Sequence, residues 1–389
     1  MMISVMKKLY LILALLTCFF SYSQSSSDNL ENNPQNRFRF IEVKSHFGAF
    51  LKSDNALGNS GILDNGYGGV TVKLGWQPTD PNGWASRYGY PSYGIGAYAG
   101  FLSDANVFGN PNAIYGFMNF SISGSHKRNV FSIEPSIGIT YNLNPFDQDT
   151  NELNTSIGAR AAVYFNIDLG FTYKFTRELD LLYGFDFSHF SNGSTFKPNN
   201  GLNLYGINLG MRYHYNAAQF RKDNDPYTNN VLPARFKRPT RSARDRTSGN
   251  SISAYVAGGV GQTDREIGTN TVFGTFSGVL DYEHQFNEVH ALTGGVDFFY
   301  DNRFRDVEAS ERTLTGIHAG YDFSFWQLAI KFQIGTYVSD DKGKGAFFMR
   351  PALRYNISKT FFAQIGLKTL DGGSADYIEY GFGFKPFKW

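Results

Sequence analysis

Four side chains near the middle of the chain, those of His189, Ser191, Asn192 and Asn203, are of the types that hydrolyse esters. Cleaving an ester takes a nucleophile, a base for its proton, donors for the developing oxyanion and usually a third group that fixes the base. An imidazole, a hydroxyl and two amides can fill all four roles. A lone His-x-Ser has a plainer reading, in which Ser-Asn-Gly only turns the chain and the histidine is an interfacial side chain. Position weighs against that reading, because His189, Ser191 and Asn203 fall on one otherwise aromatic face, and three polar groups on such a face would be costly in lipid unless they are used or lie at the interface.

Two strands must position these groups. Leu181 to Ser188 alternates with period two, placing Leu181, Tyr183, Phe185 and Phe187 on one face and Gly184, Asp186 and Ser188 on the other. Asn203 to Tyr215 alternates again, with Tyr205, Ile207, Leu209, Met211 and Tyr213 opposite Gly206, Asn208, Gly210, Arg212 and His214. Between them Gly193 to Leu202, with Lys197-Pro198-Asn199-Asn200-Gly201, has the composition of a turn. His189 and Ser191 continue the apolar odd-numbered face of the first strand, and Asn203 opens that of the second. Hairpin pairing therefore makes His189 and Asn203 cross-strand neighbours. Residues two apart on a strand lie ~6.8 Å apart along the backbone, so Ser191 meets the imidazole only if the chain curls there, which Gly193 makes easy. Asp186 points to the opposite face and is a poor partner for His189.

His-x-Ser-Asn followed by a Pro-Asn-Asn-Gly turn, on paired strands with an outward aromatic face, resembles the PagL-type lipid A deacylases, the acyloxyacyl hydrolases of the outer membrane. The likeness extends upstream through Trp84, Tyr90-Pro91-Ser92-Tyr93-Gly94-Ile95-Gly96 and Gly109-Asn110-Pro111, about the first half of the chain. It implies that His189 is the general base, Ser191 the nucleophile and Asn192 an oxyanion donor, with Gly193 beside it as a second candidate. It also implies a site on the lipid-facing outside of a barrel, lipid A of lipopolysaccharide as substrate, and neither metal nor cofactor. The family's orienting acid falls at Asn203. An amide can hold the imidazole tautomer, but it cannot stabilise the imidazolium as a carboxylate does.

Composition is compatible with such a barrel. Among 389 residues, 17% are aromatic and 42 are glycine, a β-rich signature with many small positions. Beyond the N-terminus no stretch of about 18 apolar residues could cross a bilayer as a helix, so a membrane-spanning form must be a barrel. A net charge of +2 is too balanced to argue for nucleic acid. Residues 1–23 read as a secretory signal, with Lys7-Lys8 before the apolar run Leu9 to Phe20. A lipoprotein reading around Cys18 is weaker, because Thr17 is large for that position. Cys18 is the only cysteine, so cleavage after Ser23 would leave neither disulfides nor thiol chemistry.

Residues 24–36 read as a disordered lead, 37–216 as a deacylase-like barrel half, 217–250 as a basic linker or long periplasmic turn, and 251–389 as a second barrel half. The cluster Arg235, Lys237, Arg238, Arg241, Arg244 and Arg246 is a solvated loop in the simpler reading and a patch for anionic lipid in the other. Eight strand patterns fall in each half: Phe38 to Leu51, Tyr67 to Trp76, Tyr93 to Leu102, Ile114 to Ile122, Val130 to Tyr141, Ser156 to Phe175, Leu181 to His189 and Leu202 to Tyr215 in the first, and Ser251 to Gly261, Thr271 to Tyr282, Val289 to Tyr300, Thr313 to Phe323, Ala329 to Val338, Ala346 to Tyr355, Phe361 to Leu370 and Tyr377 to Phe387 in the second. They predict an all-β, antiparallel transmembrane barrel of about sixteen strands, with two smaller barrels or twelve to fourteen strands as alternatives. Short turns such as Gln285-Phe286-Asn287 alternate with longer ones such as Asp301 to Glu311, as in outer-membrane barrels with both termini in the periplasm. The strand ending at Trp389 looks like the signal that barrel-assembly machinery reads. Asp147-x-Asp149-x-Asn151-Glu152 has the start of a calcium loop but lacks its glycine and final glutamate, so a solvated loop is expected. A pore, or a structural barrel with a dead site, is the competing class of function.

Overall fold

The structure, a computed structural model, describes residues 37–51, 60–78, 83–176, 178–215, 248–339, 341–371 and 373–389. The expected signal segment, the lead and nearly all of the basic linker lie outside the described residues. The strands are β1 (Arg37–Phe50), β2 (Tyr67–Pro78), β3 (Ser92–Leu102), β4 (Gly109–Ser121), β5 (Asn129–Leu143), β6 (Ala162–Lys174), β7 (Leu179–Ser191) and β8 (Leu202–Tyr213) in the first half. In the second half they are β9 (Gly249–Gly261), β10 (Phe273–Gln285), β11 (His290–Asp301), β12 (Thr313–Phe325), β13 (Leu328–Tyr337), β14 (Phe347–Asn356), β15 (Phe361–Leu370) and β16 (Ser374–Lys388). All are antiparallel to their neighbours. β8 returns to β1, with Ile207 opposite Phe47, and β16 returns to β9, with Phe382 opposite Val256. The expected sixteen strands therefore close as two eight-stranded barrels and not as one barrel.

Interior side chains show why the circuits are small. Eight strands leave a lumen only wide enough for side chains, and here those side chains meet across it. In the first barrel Lys44 Nζ on β1 reaches Asp168 on β6 at 2.6 Å, while Lys73 on β2 binds Glu42 at 2.9 Å and also Glu134 on β5. In the second, Arg350 lies 2.8 Å from Asp297 and 3.0 Å from Glu379, Lys331 pairs with Asp322, and the His318 ring bridges Asp281 at 2.6 Å and Asp297 at 2.7 Å. Inward glycines make room for rings: a Cβ on Gly75 would come within 2.1 Å of Phe40, and one on Gly96 within 2.4 Å of Tyr115. Above the ion pairs of the first barrel lies an apolar plug that includes Phe50, Tyr98, Phe108, Tyr164, Phe190 and Leu202.

The outward faces carry the opposite character. Phe185 is 68% exposed while its neighbour Asp186 is 5% exposed, as the period-two reading requires. Phe47, Ile95, Ile114, Leu209, Val256, Val296, Phe332 and Phe382 extend the exposed apolar surface around both barrels. Water does not favour so much exposed apolar surface, but hydrocarbon does. No helix among the described residues is long and apolar enough to cross a membrane.

β6 departs from the sequence reading, which starts it at Ser156. It begins at Ala162 because the preceding residues fold over the barrel mouth. Asn154 Nδ2 donates to the carbonyls of Val107 (3.0 Å) and Asn144 (2.6 Å), and Asn151 Nδ2 to those of Val107 and Pro145, both 2.9 Å. The Asp147 stretch closes on itself. Its carboxylate accepts the N–H groups of Thr150 (2.8 Å) and Asp149 (3.0 Å), and the Thr150 N–H foremost holds it below the ordinary carboxylate range. With Asn151 turned inward, the ligand set of a calcium loop is not assembled, and no metal-binding cluster of His, Cys, Asp or Glu occurs among the described residues.

Two outcomes test this architecture. Phe185→Arg, mid-strand on the outer face, should destabilise folding in lipid by about 2 to 4 kcal/mol, measured by reversible unfolding in urea. Because both lumens are filled, the purified protein in a planar bilayer should show no steady single-channel conductance.

Candidate active site

β7 and β8 pair in register from Leu179 opposite Tyr213 to Phe190 opposite Leu202, which sets His189 directly opposite Asn203. Their side chains meet as the phase of the sequence predicts, with His189 Nδ1 2.6 Å from Asn203 Oδ1. A carbonyl oxygen only accepts, so the proton lies on Nδ1 and Nε2 keeps its lone pair. The wall behind them is rigid. Phe190, between His189 and Ser191, points inward and packs on Tyr164 at 5.3 Å and Tyr98 at 6.2 Å between ring centroids.

Ser191 ends β7 opposite Val163, so the strand stays extended through it and does not curl back toward His189. Among the described residues no hydrogen bond joins Ser191 to His189. The hydroxyl oxygen instead accepts from Asn199 Nδ2 at 2.8 Å and from the Gly193 N–H at 3.2 Å. Two donors converging on this oxygen stabilise negative charge there as its proton leaves. Asn192 is engaged as well. Its N–H donates to Asn199 Oδ1 at 3.0 Å and its Nδ2 to the Phe196 carbonyl at 2.8 Å. The N–H groups of Asn192 and Gly193 are thus both spent within the turn.

Two residues read only as turn formers therefore belong to the site. Asn199 ties Ser191 to Asn192 through both ends of its amide. Gly201, at φ 78°, lies under the imidazole, where a Cβ would come 2.7 Å from His189 Cε1. The Gly201 N–H is fixed to the Ser156 carbonyl at 3.0 Å, so the folded loop before β6 holds this floor. The composition of Pro-Asn-Asn-Gly was the available signal, but it specifies a turn and not which side chain the turn serves. Asp186 is confirmed as unavailable to His189, since it is buried inside with His46 Nδ1 at 3.2 Å.

Gly201→Ala should push the ring off Asn203, because the new methyl collides with it and the backbone there favours glycine. The check is the ¹⁵N spectrum of His189, in which the single Nδ1–H tautomer of the parent should give way to a mixture.

The comparisons with known proteins follow the two barrels. Residues 70–212 match the family model described as lipid A 3-O-deacylase (PagL), and residues 250–389 the one described as acyloxyacyl hydrolase, C-terminal domain. No curated protein matches the chain. Among solved structures, Neisserial surface protein A is 10% identical, covering 45% of this chain and 96% of its own, with a TM-score of 0.31. A mutant porin of Rh. blastica is 9% identical, covering 89% and 99%, with a TM-score of 0.20. OccK11 (OpdR) of Pseudomonas aeruginosa is 9% identical, covering 91% and 96%, with a TM-score of 0.21. Overlap at such scores is partial, and the barrel fold rests on this chain's own strand pairing. With one model matching most of each barrel, residues 70–212 form a domain of the PagL lipid A 3-O-deacylase family and residues 250–389 an acyloxyacyl hydrolase C-terminal domain.

Proposed function

We propose that this protein is an outer-membrane serine esterase that removes an ester-linked acyl chain from lipid A, without metal or cofactor. The observation that carries this reading is the His189–Asn203 hydrogen bond on the outward face of β7 and β8, which leaves Nε2 basic two residues along the strand from a serine held by two N–H donors. Substrate arrives laterally from the outer leaflet. The Ser191 O–H turns to His189 Nε2 as the ester carbonyl is engaged, a contact of the kind that often tightens only when substrate is bound. The hydroxyl oxygen attacks the carbonyl carbon and the proton passes to the imidazole. As the attack proceeds, the Gly193 N–H passes from Ser191 to the new oxyanion. The alkoxide of the sugar leaves with the proton from His189, and water then hydrolyses the acyl-serine by the same steps in reverse.

The orientation in the membrane supports an outer-leaflet site. Short connections at 175–178, 286–289, 326–327 and 357–360 share one end of the barrels with the longer 79–91, while the long ones at 144–161, 262–272 and 302–312 share the end that carries Ser191 with the short 371–373. Outer-membrane barrels keep short turns in the periplasm, so both termini are periplasmic, after removal of the signal segment and insertion by the barrel-assembly machinery. Single cysteines at Asp149 and Ser358, both exposed, should label oppositely in intact cells: Asp149→Cys with an impermeant maleimide, Ser358→Cys only after lysis. The reverse pattern would overturn the outer-leaflet site.

Mass spectrometry of lipid A incubated with purified protein in mixed lipid and detergent tests the reaction. The parent should remove one acyl chain and Ser191→Ala none. Asn203→Asp, which puts a carboxylate at the atom that now contacts Nδ1, should raise the rate on the order of tenfold or more, since a negative charge there stabilises the imidazolium. Turnover that survives Ser191→Ala would remove the nucleophile. Inactivity of both the parent and Asn203→Asp would favour a structural barrel with a dead site, a reading to which the amide at position 203 lends its support.

A further inference from the structure

The turn after Ser191 is held from outside its own barrel. The Ser194 carbonyl accepts the N–H of Gln262 at 3.1 Å, the Lys197 N–H donates to Gln262 Oε1 at 2.8 Å, and Ser194 Oγ donates to the Ala375 carbonyl at 2.8 Å. Gln262 is itself fixed, 1% exposed, with Nε2 donating to the carbonyls of Thr269 and Thr271, both at 2.9 Å. Ile378, on the outward side of β16, closes on Gly193 so tightly that a Cβ there would lie 2.3 Å from Ile378 Cγ1. Gly193 and Ser194 both have positive φ, 62° and 61°. A non-glycine residue persists in that conformation when its surroundings over-determine it, and at Ser194 most of those surroundings come from the second barrel.

The barrels are tied at their other end too, so this clamp is not a loose encounter. Trp84 stacks on Trp326 with ring centroids 5.4 Å apart, the Trp326 N–H donates to the Tyr88 hydroxyl at 3.1 Å, and Arg87 pairs with Glu288 at 2.9 Å. Fixed at both ends, the second barrel presents Gln262 and Ile378 to residues 192–197 as a stationary surface.

We propose that the second barrel is a positioning scaffold for deacylation, with Gln262 and Ile378 as positioning residues that keep the Gly193 N–H and Asn192 set against Ser191. The proposal rests on the reading of Ser191 as nucleophile. Neither residue touches substrate; both act through the turn, where a displacement of about 1 Å can cost on the order of 100-fold in rate.

The test compares the full-length parent with Ile378→Ala, Ile378→Val and Gln262→Ala in mixed lipid and detergent, each confirmed as folded by its faster gel migration before heating. Two measurements are made: amide exchange over residues 192–197, and kcat and KM for lipid A deacylation. Ile378→Ala and Gln262→Ala should speed exchange at Lys197 at least about tenfold and lower kcat roughly 10- to 100-fold with KM little changed. Ile378→Val keeps the γ carbon that lies nearest Gly193 and loses only the δ methyl, so it should restore most of both. Unchanged exchange in the two alanine variants, or faster exchange with an unchanged kcat, overturns the proposal. Should Gln262→Ala fail to fold, because it also releases Thr269 and Thr271, the Ile378 pair decides alone. A parent that exchanges slowly at Lys197 but never turns over refutes the deacylase reading and the catalytic part of this proposal. In that case the exchange arm still shows whether the second barrel holds the turn.

Discussion

Inside a bilayer a backbone N–H or C=O without a partner has no water to turn to, and each one costs several kcal/mol. Every strand of this protein must therefore be paired on both edges. The chain satisfies that requirement twice, where β8 meets β1 and where β16 meets β9. Closing after eight strands fixes a narrow lumen, which in turn decides what fills it. Buried charges are expensive unless paired, and the lumens hold complementary ions within reach of each other, such as Lys44 with Asp168 and Arg350 with Asp297 and Glu379. A filled interior leaves the outside wall and the loop ends as the surfaces on which chemistry can occur.

The candidate site uses that wall. Its groups stand on strands locked by ladder hydrogen bonds on one side and by the aromatic plug under Phe190 on the other, so their spacing is set by the sheet. They are also uncharged at rest. A neutral imidazole, a hydroxyl and amides lose less on leaving water than a carboxylate would, which favours Asn203 at its half-buried position even as it weakens support for an imidazolium. The turn beyond Ser191 is different in kind. It leaves the ladder, and its order comes from Asn199, from the loop before β6 and from Gln262 and Ile378 of the second barrel.

Much of this was legible in the residues because period two maps directly onto inside and outside. Tyr183, Phe185 and Leu209 face outward and Asp186 and Arg212 inward, as alternation requires, and the same phase sets His189 beside Asn203. Expected and observed strand ends agree closely at most positions, since each strand must cross the same thickness of bilayer. The late start of β6 was not legible, because the loop before it is ordered by Asn151 and Asn154 on distant carbonyls and not by any local pattern.

By itself the sequence determined the class of fold, the number of strands, the face on which each side chain lies and the pairing of His189 with Asn203, all of which follow from local periodicity and from the turn between two neighbouring strands. Only the tertiary structure decided that the strands close as two barrels, that Ser191 takes its hydrogen bonds from Asn199 and Gly193 and not from His189, and that Gln262 and Ile378 of the second barrel grip the turn. Alternation tells a strand which way its side chains point. It carries no information about which edge a strand meets across the barrel seam, or about which surface two barrels share when they lie side by side.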